Sequence, residues 1–226
     1  RSTLIYESDL VEESIFVPMA IISDQINTLM NGNDLSHHFK IKARITDEVQ
    51  NTYEELPSNL PVPIDDGACD HLVGMQFPDI ILKSNSGENV NLSRIEGRVV
   101  IYCYPMTGKP GVPLPEGWDE IPGARGCTPQ SCSFRDHHTE LSKLGSEVYG
   151  MSTQKYEYQQ EMAERLHLPF QVISDSNLEF CRAMNIPTFS VDGNTLMKRV
   201  TKISYNGSIE AVHYPVFPSD SDPKWV

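Results

Sequence analysis

Hydrophobic positions fall into two regimes along the chain. Up to about residue 56 they recur at helical spacing. Ile15, Met19, Ile22, Ile26, Leu29 and Met30 predict one amphipathic helix, ended by Asn31, Gly32 and Asn33. Phe39, Ile41, Ile45, Val49 and Tyr53 predict a second, over about 34–56. The pair reads as a helical hairpin that packs on the main domain or on a second copy of it, which would make a homodimer; a separate partner-binding module is the sharper alternative. Pro57, Pro61 and Pro63 make 57–67 a stiff connector.

Over 68–226 short apolar runs alternate with helical segments. Asn89 to Leu92 predicts a short strand, and Arg98 to Tyr104 is a continuous apolar run, as in a strand covered on both faces. Phe134, Leu141 and Leu144 predict a helix over 128–144. A strand at Glu147 to Ser152, a polar helix over 155–166, a strand at Phe170 to Ser174 and a short helix over 176–184 follow. Two last strands, Met197 to Ser204 and Ser208 to Tyr214, flank the hairpin signal Asn206-Gly207. The expected fold is α/β: a central sheet with helices on both faces, preceded by an N-terminal helical extension.

Composition narrows the function. A hydrophobic content of 39% over 226 residues supports a real core. A net charge of −13 argues against nucleic acid as partner, which needs clustered Lys and Arg. The apolar patch Ile15 to Ile22 is too short to span a membrane, contains Pro18 and follows acidic residues, so it matches neither a membrane helix nor a signal peptide. The chain opens on Arg1, and a removed targeting leader stays open. Five cysteines without framework spacing suit a reducing compartment, the cytoplasm, with one functional pair.

That pair lies in the stretch Gly126 to Asp136, where a loop turns into a helix. Thr128 is the expected N-cap, with Pro129 in the first turn. Cys127 then sits at a helix N-terminus, where unpaired N–H groups favour an anion and thiols become nucleophilic. Positions i and i+5 of an intact helix are roughly 8–9 Å apart, and a disulfide needs Cα atoms within about 7 Å. Cys127 and Cys132 can therefore join only if the first turn unwinds, which suits cycling better than stapling. His137 and His138 raise a competing Cys–His metal site, but zinc cysteines usually stand two to four residues apart, and a solvated helix face is the better reading. Arg135 and Asp136 read as a surface pair, Cys103 as core, and Trp118 as packing in preference to a cap on the site.

The ordered motifs Val99 to Pro105, Gly126 to Asp136 and Gly150 to Thr153, extended through Ile173-Ser174-Asp175 and Ile186 to Phe189, resemble a peroxiredoxin. Within that family the resemblance is greatest to the peroxiredoxin Q, or bacterioferritin-comigratory, branch, and it covers about 68–217. It implies a thioredoxin fold with a mixed sheet, reduction of hydroperoxides, a thioredoxin-like reductant, and no metal, haem or flavin. Cys127 would be the peroxidatic cysteine and Cys132 the resolving one, with Cys181 or Cys69 as substitutes should Cys132 be inert. Arg199 matches the strand arginine beside the thiolate. The chain departs from the family's Pro-x-x-x-Thr-x-x-Cys pattern. Cys127 comes 22 residues after Pro105, and Ala124 stands where the threonine belongs. An insert over 108–125, with four prolines and four glycines, separates them. Either Thr107 folds back to supply the hydroxyl or that role is lost. The rival readings are a redox sensor or thiol–disulfide oxidoreductase using the same pair, and a non-enzymatic interaction module.

Overall fold

The computed structural model describes Tyr53 and residues 56–226. The expected extension over 1–56 lies outside the described residues except for its last positions, where Tyr53 has a φ of 55° and is not helical. Residues 56–69 of the connector form neither helix nor strand.

A seven-stranded mixed sheet runs in the order β2-β1-β5-β4-β3-β8-β9. Its strands are β1 (Leu82–Ser84), β2 (Asn89–Val90), β3 (Arg98–Cys103), β4 (Ser146–Ser152), β5 (Gln171–Ser174), β8 (Val200–Tyr205) and β9 (Ser208–His213). The apolar run of β3 takes the centre, parallel to β4 and antiparallel to β8. Its side chains alternate between two cores, which is why the run is unbroken. Val99, Ile101 and Cys103 join one core, with Phe180, Cys181 and Cys69. Val100, Tyr102 and Tyr104 join the other, with Phe134, Leu141 and Met162. Helices α1 (Cys127–Lys143) and α2 (Tyr156–Leu166) cover the second face; α3 (Glu179–Ala183) covers the first. This is the thioredoxin-like fold.

The structure corrects three readings. The strand expected over Met197 to Ser204 is two strands. Asn194–Met197 is β7, which pairs with β6 (Thr188–Val191) in a separate hairpin, and the chain breaks at Lys198 and Arg199 before β8. The hairpin is half-exposed and gives no clean apolar alternation. Thr128 is not the N-cap: Gly126 is, in the left-handed region at φ 102°, and Cys127 is the first helical residue. The Thr128 hydroxyl is buried without a hydrogen-bond partner. Third, the reserve cysteines Cys69 and Cys181 lie in the core on the opposite face of the sheet from Cys127, so they are not placed to resolve it.

The insert packs instead of projecting. Trp118, Ala124 and Leu196 form a small third core with Ile121 and Phe189 against the β6–β7 hairpin. Tyr53 donates its hydroxyl to Val112 O at 2.6 Å, and its ring lies beneath the Arg125 guanidinium at 5.0 Å. A short C-terminal helix, α4 (Asp222–Trp225), follows a 3-10 turn at Ser219–Ser221, and both pack on α1.

Candidate active site

β3 delivers the chain to one edge of the site, and the insert returns it there. After Tyr104 and Pro105 the backbone leaves the sheet, passes through residues 108–125, and re-enters at Ala124–Gly126. Gly126 is required by two constraints. Its φ is positive, and a Cβ there would meet Ser219 Oγ at 2.2 Å. The turn it makes starts the 17-residue α1 with Cys127, buried to 3% exposure. The helix is anchored to the sheet by Phe134 stacked on Tyr102 at 4.4 Å and by the Tyr102 hydroxyl, which donates to Ser131 Oγ at 3.1 Å.

Arg199 comes to Cys127 from the break before β8. Its Nη2 lies 3.2 Å from Cys127 Sγ, and the same nitrogen reaches Ala124 O at 3.2 Å and Arg125 O at 3.1 Å. Its Nη1 donates to Gln130 Oε1. The Cys127 sulfur is itself 3.5 Å from Ala124 O. A cation with fixed planar donors thus sits against the thiol with both its loop and its helix as supports. Cys127 and Arg199 are the two expected site residues that the structure brings together.

The other expected residues stand apart. Cys132 lies one and a half turns along the intact α1, half-buried, and no disulfide joins it to Cys127. It borders an open groove with Leu56, Pro129, Asp136, His137 and Asp220. Thr107 is buried and turned to Gln154: its N–H and hydroxyl both donate to Gln154 Oε1, at 2.9 and 3.1 Å, and its carbonyl accepts from Gln154 Nε2 at 3.2 Å. That hydroxyl is thus bonded to Gln154. His137 Nδ1 meets Ser133 O at 2.9 Å, and His138 packs near Phe170. Among the described residues no three His, Cys, Asp or Glu side chains converge as metal ligands would. Arg135 pairs with Asp136 at 2.8 Å and donates to Leu166 O at 3.0 Å.

Sequence reasoning missed the layer behind Arg199. Gln130 Nε2 donates to Asp222 Oδ2 at 2.6 Å, and the fully buried Asp222 also accepts from Thr201 Oγ1 at 2.5 Å and meets His213 Nδ1 at 2.8 Å. Gln130, three residues after Cys127, was the one readable signal. Asp222 is 92 residues away, in a Ser/Asp-rich tail.

A cavity of about 310 Å³ opens beside Arg199, walled by Val62, Ile64, Ile121, Phe189 and Val216. Connector and insert therefore both line this cavity.

Residues 72–224 match the Redoxin family. The chain is 29% identical over 163 residues to a chloroplastic peroxiredoxin Q of Gentiana triflora, a match covering 70% of this chain and 68% of that protein. It is 34% identical over 110 residues to peroxiredoxin Bcp of Escherichia coli strain K12, covering 48% of this chain and 61% of that one. The crystal structure of peroxidoxin BcpB from Mycobacterium tuberculosis is similar with a TM-score of 0.56 at 22% identity, covering 68% of this chain and 92% of that one, a likeness of fold.

Proposed function

Because this chain belongs to the Redoxin family and is a peroxiredoxin, we propose that it reduces hydrogen peroxide or alkyl hydroperoxides with Cys127 as the nucleophile. The observation that carries the reading is Arg199 Nη2 at 3.2 Å from Cys127 Sγ. A thiolate attacking a peroxide needs a cation beside it. The leaving oxygen needs a donor as the O–O bond breaks. One guanidinium can serve both, because it stays charged and offers several N–H groups in a fixed fork.

In the proposed cycle the Cys127 thiolate attacks one peroxide oxygen. The O–O bond breaks, the departing oxygen takes a proton to leave as water or alcohol, and sulfur is oxidised to the sulfenic acid. The Cys132 thiol then displaces that hydroxyl as water and forms the 127–132 disulfide. A thioredoxin-like dithiol protein reduces the disulfide by exchange and is itself oxidised. The second step requires the first turn of α1 to unwind, and the contacts to be released include Gln130 N–H to Gly126 O at 3.0 Å and Gln130 Nε2 to Asp222 Oδ2 at 2.6 Å. Such a thiol cycle belongs in a reducing compartment.

The test is consumption of hydrogen peroxide or tert-butyl hydroperoxide by the full chain with thioredoxin, its reductase and NADPH. The reading expects turnover that Cys127→Ser abolishes. Undiminished turnover in that variant would sink it.

A further inference from the structure

The Cys127 site extends to a carboxylate on the C-terminal helix, within α4. Gln130 lies between two groups of opposite demand. Arg199 can only donate, and an ionised carboxylate can only accept. A side-chain amide satisfies both at once, with Oε1 towards Arg199 Nη1 and Nε2 towards Asp222 Oδ2 at 2.6 Å. Asp222 and Arg199 together fix which way the Gln130 amide faces. With that carboxylate removed, the amide keeps Oε1 on Arg199 but loses the anchor at Nε2 that holds it, and the guanidinium with it, in place. Asp222 is in turn held by Thr201 Oγ1 at 2.5 Å and His213 Nδ1 at 2.8 Å, and the His213 ring stacks on Trp225 at 4.7 Å. A buried carboxylate is expensive unless it is hydrogen-bonded. This one is fully buried and engages three donors.

We propose that Asp222 is a positioning residue for the Cys127 reaction: through Gln130 it holds the Arg199 guanidinium on the sulfur, which makes the C-terminal segment part of the active site. The inference rests on Cys127 being the reacting thiol, but its readout does not need peroxide turnover.

The experiment titrates Cys127 in the full chain by its rate of alkylation with iodoacetamide against pH, site by site by mass spectrometry, alongside the peroxidase assay. Asp222→Asn and Asp222→Ala are expected to raise the alkylation midpoint by about one pH unit, roughly a tenfold loss of thiolate below it. A direct charge effect has the opposite sign, since removing a nearby anion favours the thiolate and lowers the midpoint. A purely structural role leaves it unmoved once folding is verified by circular dichroism. Gln130→Glu alone, which sets two carboxylates against each other, is expected to act like Asp222→Asn. The double variant Gln130→Glu/Asp222→Asn restores one acceptor for Arg199 and one donor behind it, and is expected to recover the unaltered midpoint. A midpoint that falls or stays fixed in Asp222→Asn, or a double variant no better than its parents, overturns the proposal. If Asp222→Ala does not fold, Asp222→Asn and the double variant decide it. Absence of peroxidase activity in the unaltered chain would instead count against the proposed reaction and leave the midpoint test standing.

Discussion

Arg199 meets Cys127 across 72 residues of chain, guanidinium nitrogen to sulfur at 3.2 Å, while the same nitrogen touches the carbonyls of Ala124 and Arg125. The arginine therefore ties the loop before the helix to the sulfur at the helix start. A lysine has one point charge and cannot hold sulfur, Gln130 and two carbonyls together. Arg199→Lys is expected to reduce the second-order rate constant for peroxide by roughly 10²-fold, the usual loss on removing one transition-state donor. Stopped-flow measurement of Cys127 oxidation checks it; a rate within about twofold of the unaltered chain would remove Arg199 from the chemistry.

The proposed roles of the two helix cysteines separate by reaction step. Cys132→Ser leaves Cys127 with its arginine and its helix start, so a single equivalent of peroxide is expected to be consumed as before. Turnover with thioredoxin should then fall to near zero, and dimedone should trap a sulfenic acid on Cys127. In the unaltered chain, mass spectrometry after one equivalent of peroxide should find a 127–132 disulfide. A stable sulfenic acid beside a reduced Cys132 thiol would overturn the resolving role.

Much of this was legible in the sequence, for physical reasons that also mark where legibility stopped. The β3 run is read correctly because a strand between two cores must be apolar on both faces. The start of α1 is read to within one residue because Pro129 and the helical spacing are local signals. Thr128 misled because the backbone turn at Gly126, and not a hydroxyl, ends the loop. The β6–β7 hairpin escaped because its burial alternates only partly, against the insert. Asp222 was unreadable for another reason. A buried carboxylate is recognised by its donors, and Gln130, Thr201 and His213 are supplied by tertiary structure.

Burial pushes the Cys69 and Cys181 thiols up to about 12. Cys69, Cys181 and Cys127 are each buried, at 3% exposure, and of the three only Cys127 has a guanidinium nitrogen within 3.2 Å of its sulfur among the described residues. Iodoacetamide at about pH 8 is expected to label Cys127 and leave Cys69 and Cys181 unlabelled until the chain unfolds. The same shifts have a stability consequence. A raised folded pKa means that the folded chain keeps protons the unfolded chain has lost. Each thiol therefore supports folding below the ordinary value of 9.0, and that support is lost as pH rises towards about 12. Urea midpoints should fall across this window, and the fall should shrink in a Cys69→Ala/Cys181→Ala chain. Equal slopes in the two chains would contradict the assignment.

Gly126→Ala tests whether the turn before Cys127 is a positioning element of the site. A Cβ at this position would lie 2.2 Å from Ser219 Oγ and 2.7 Å from Leu56 Cδ2, on a backbone at φ 102°. Left-handed strain at a residue with a side chain costs about 1–3 kcal/mol, and the contacts require Ser219 to move. Ser219 begins the 3-10 turn that leads into Asp222, so displacement there is carried to both the helix start and its C-terminal support. The expected result is a lower urea midpoint together with slower Cys127 oxidation. Pairing Gly126→Ala with Ser219→Gly removes the nearest contact but not the backbone strain, so it should recover part of the lost rate and stability. A double variant with no recovery at all would place the effect in the backbone and the Leu56 contact and leave Ser219 without a part in it.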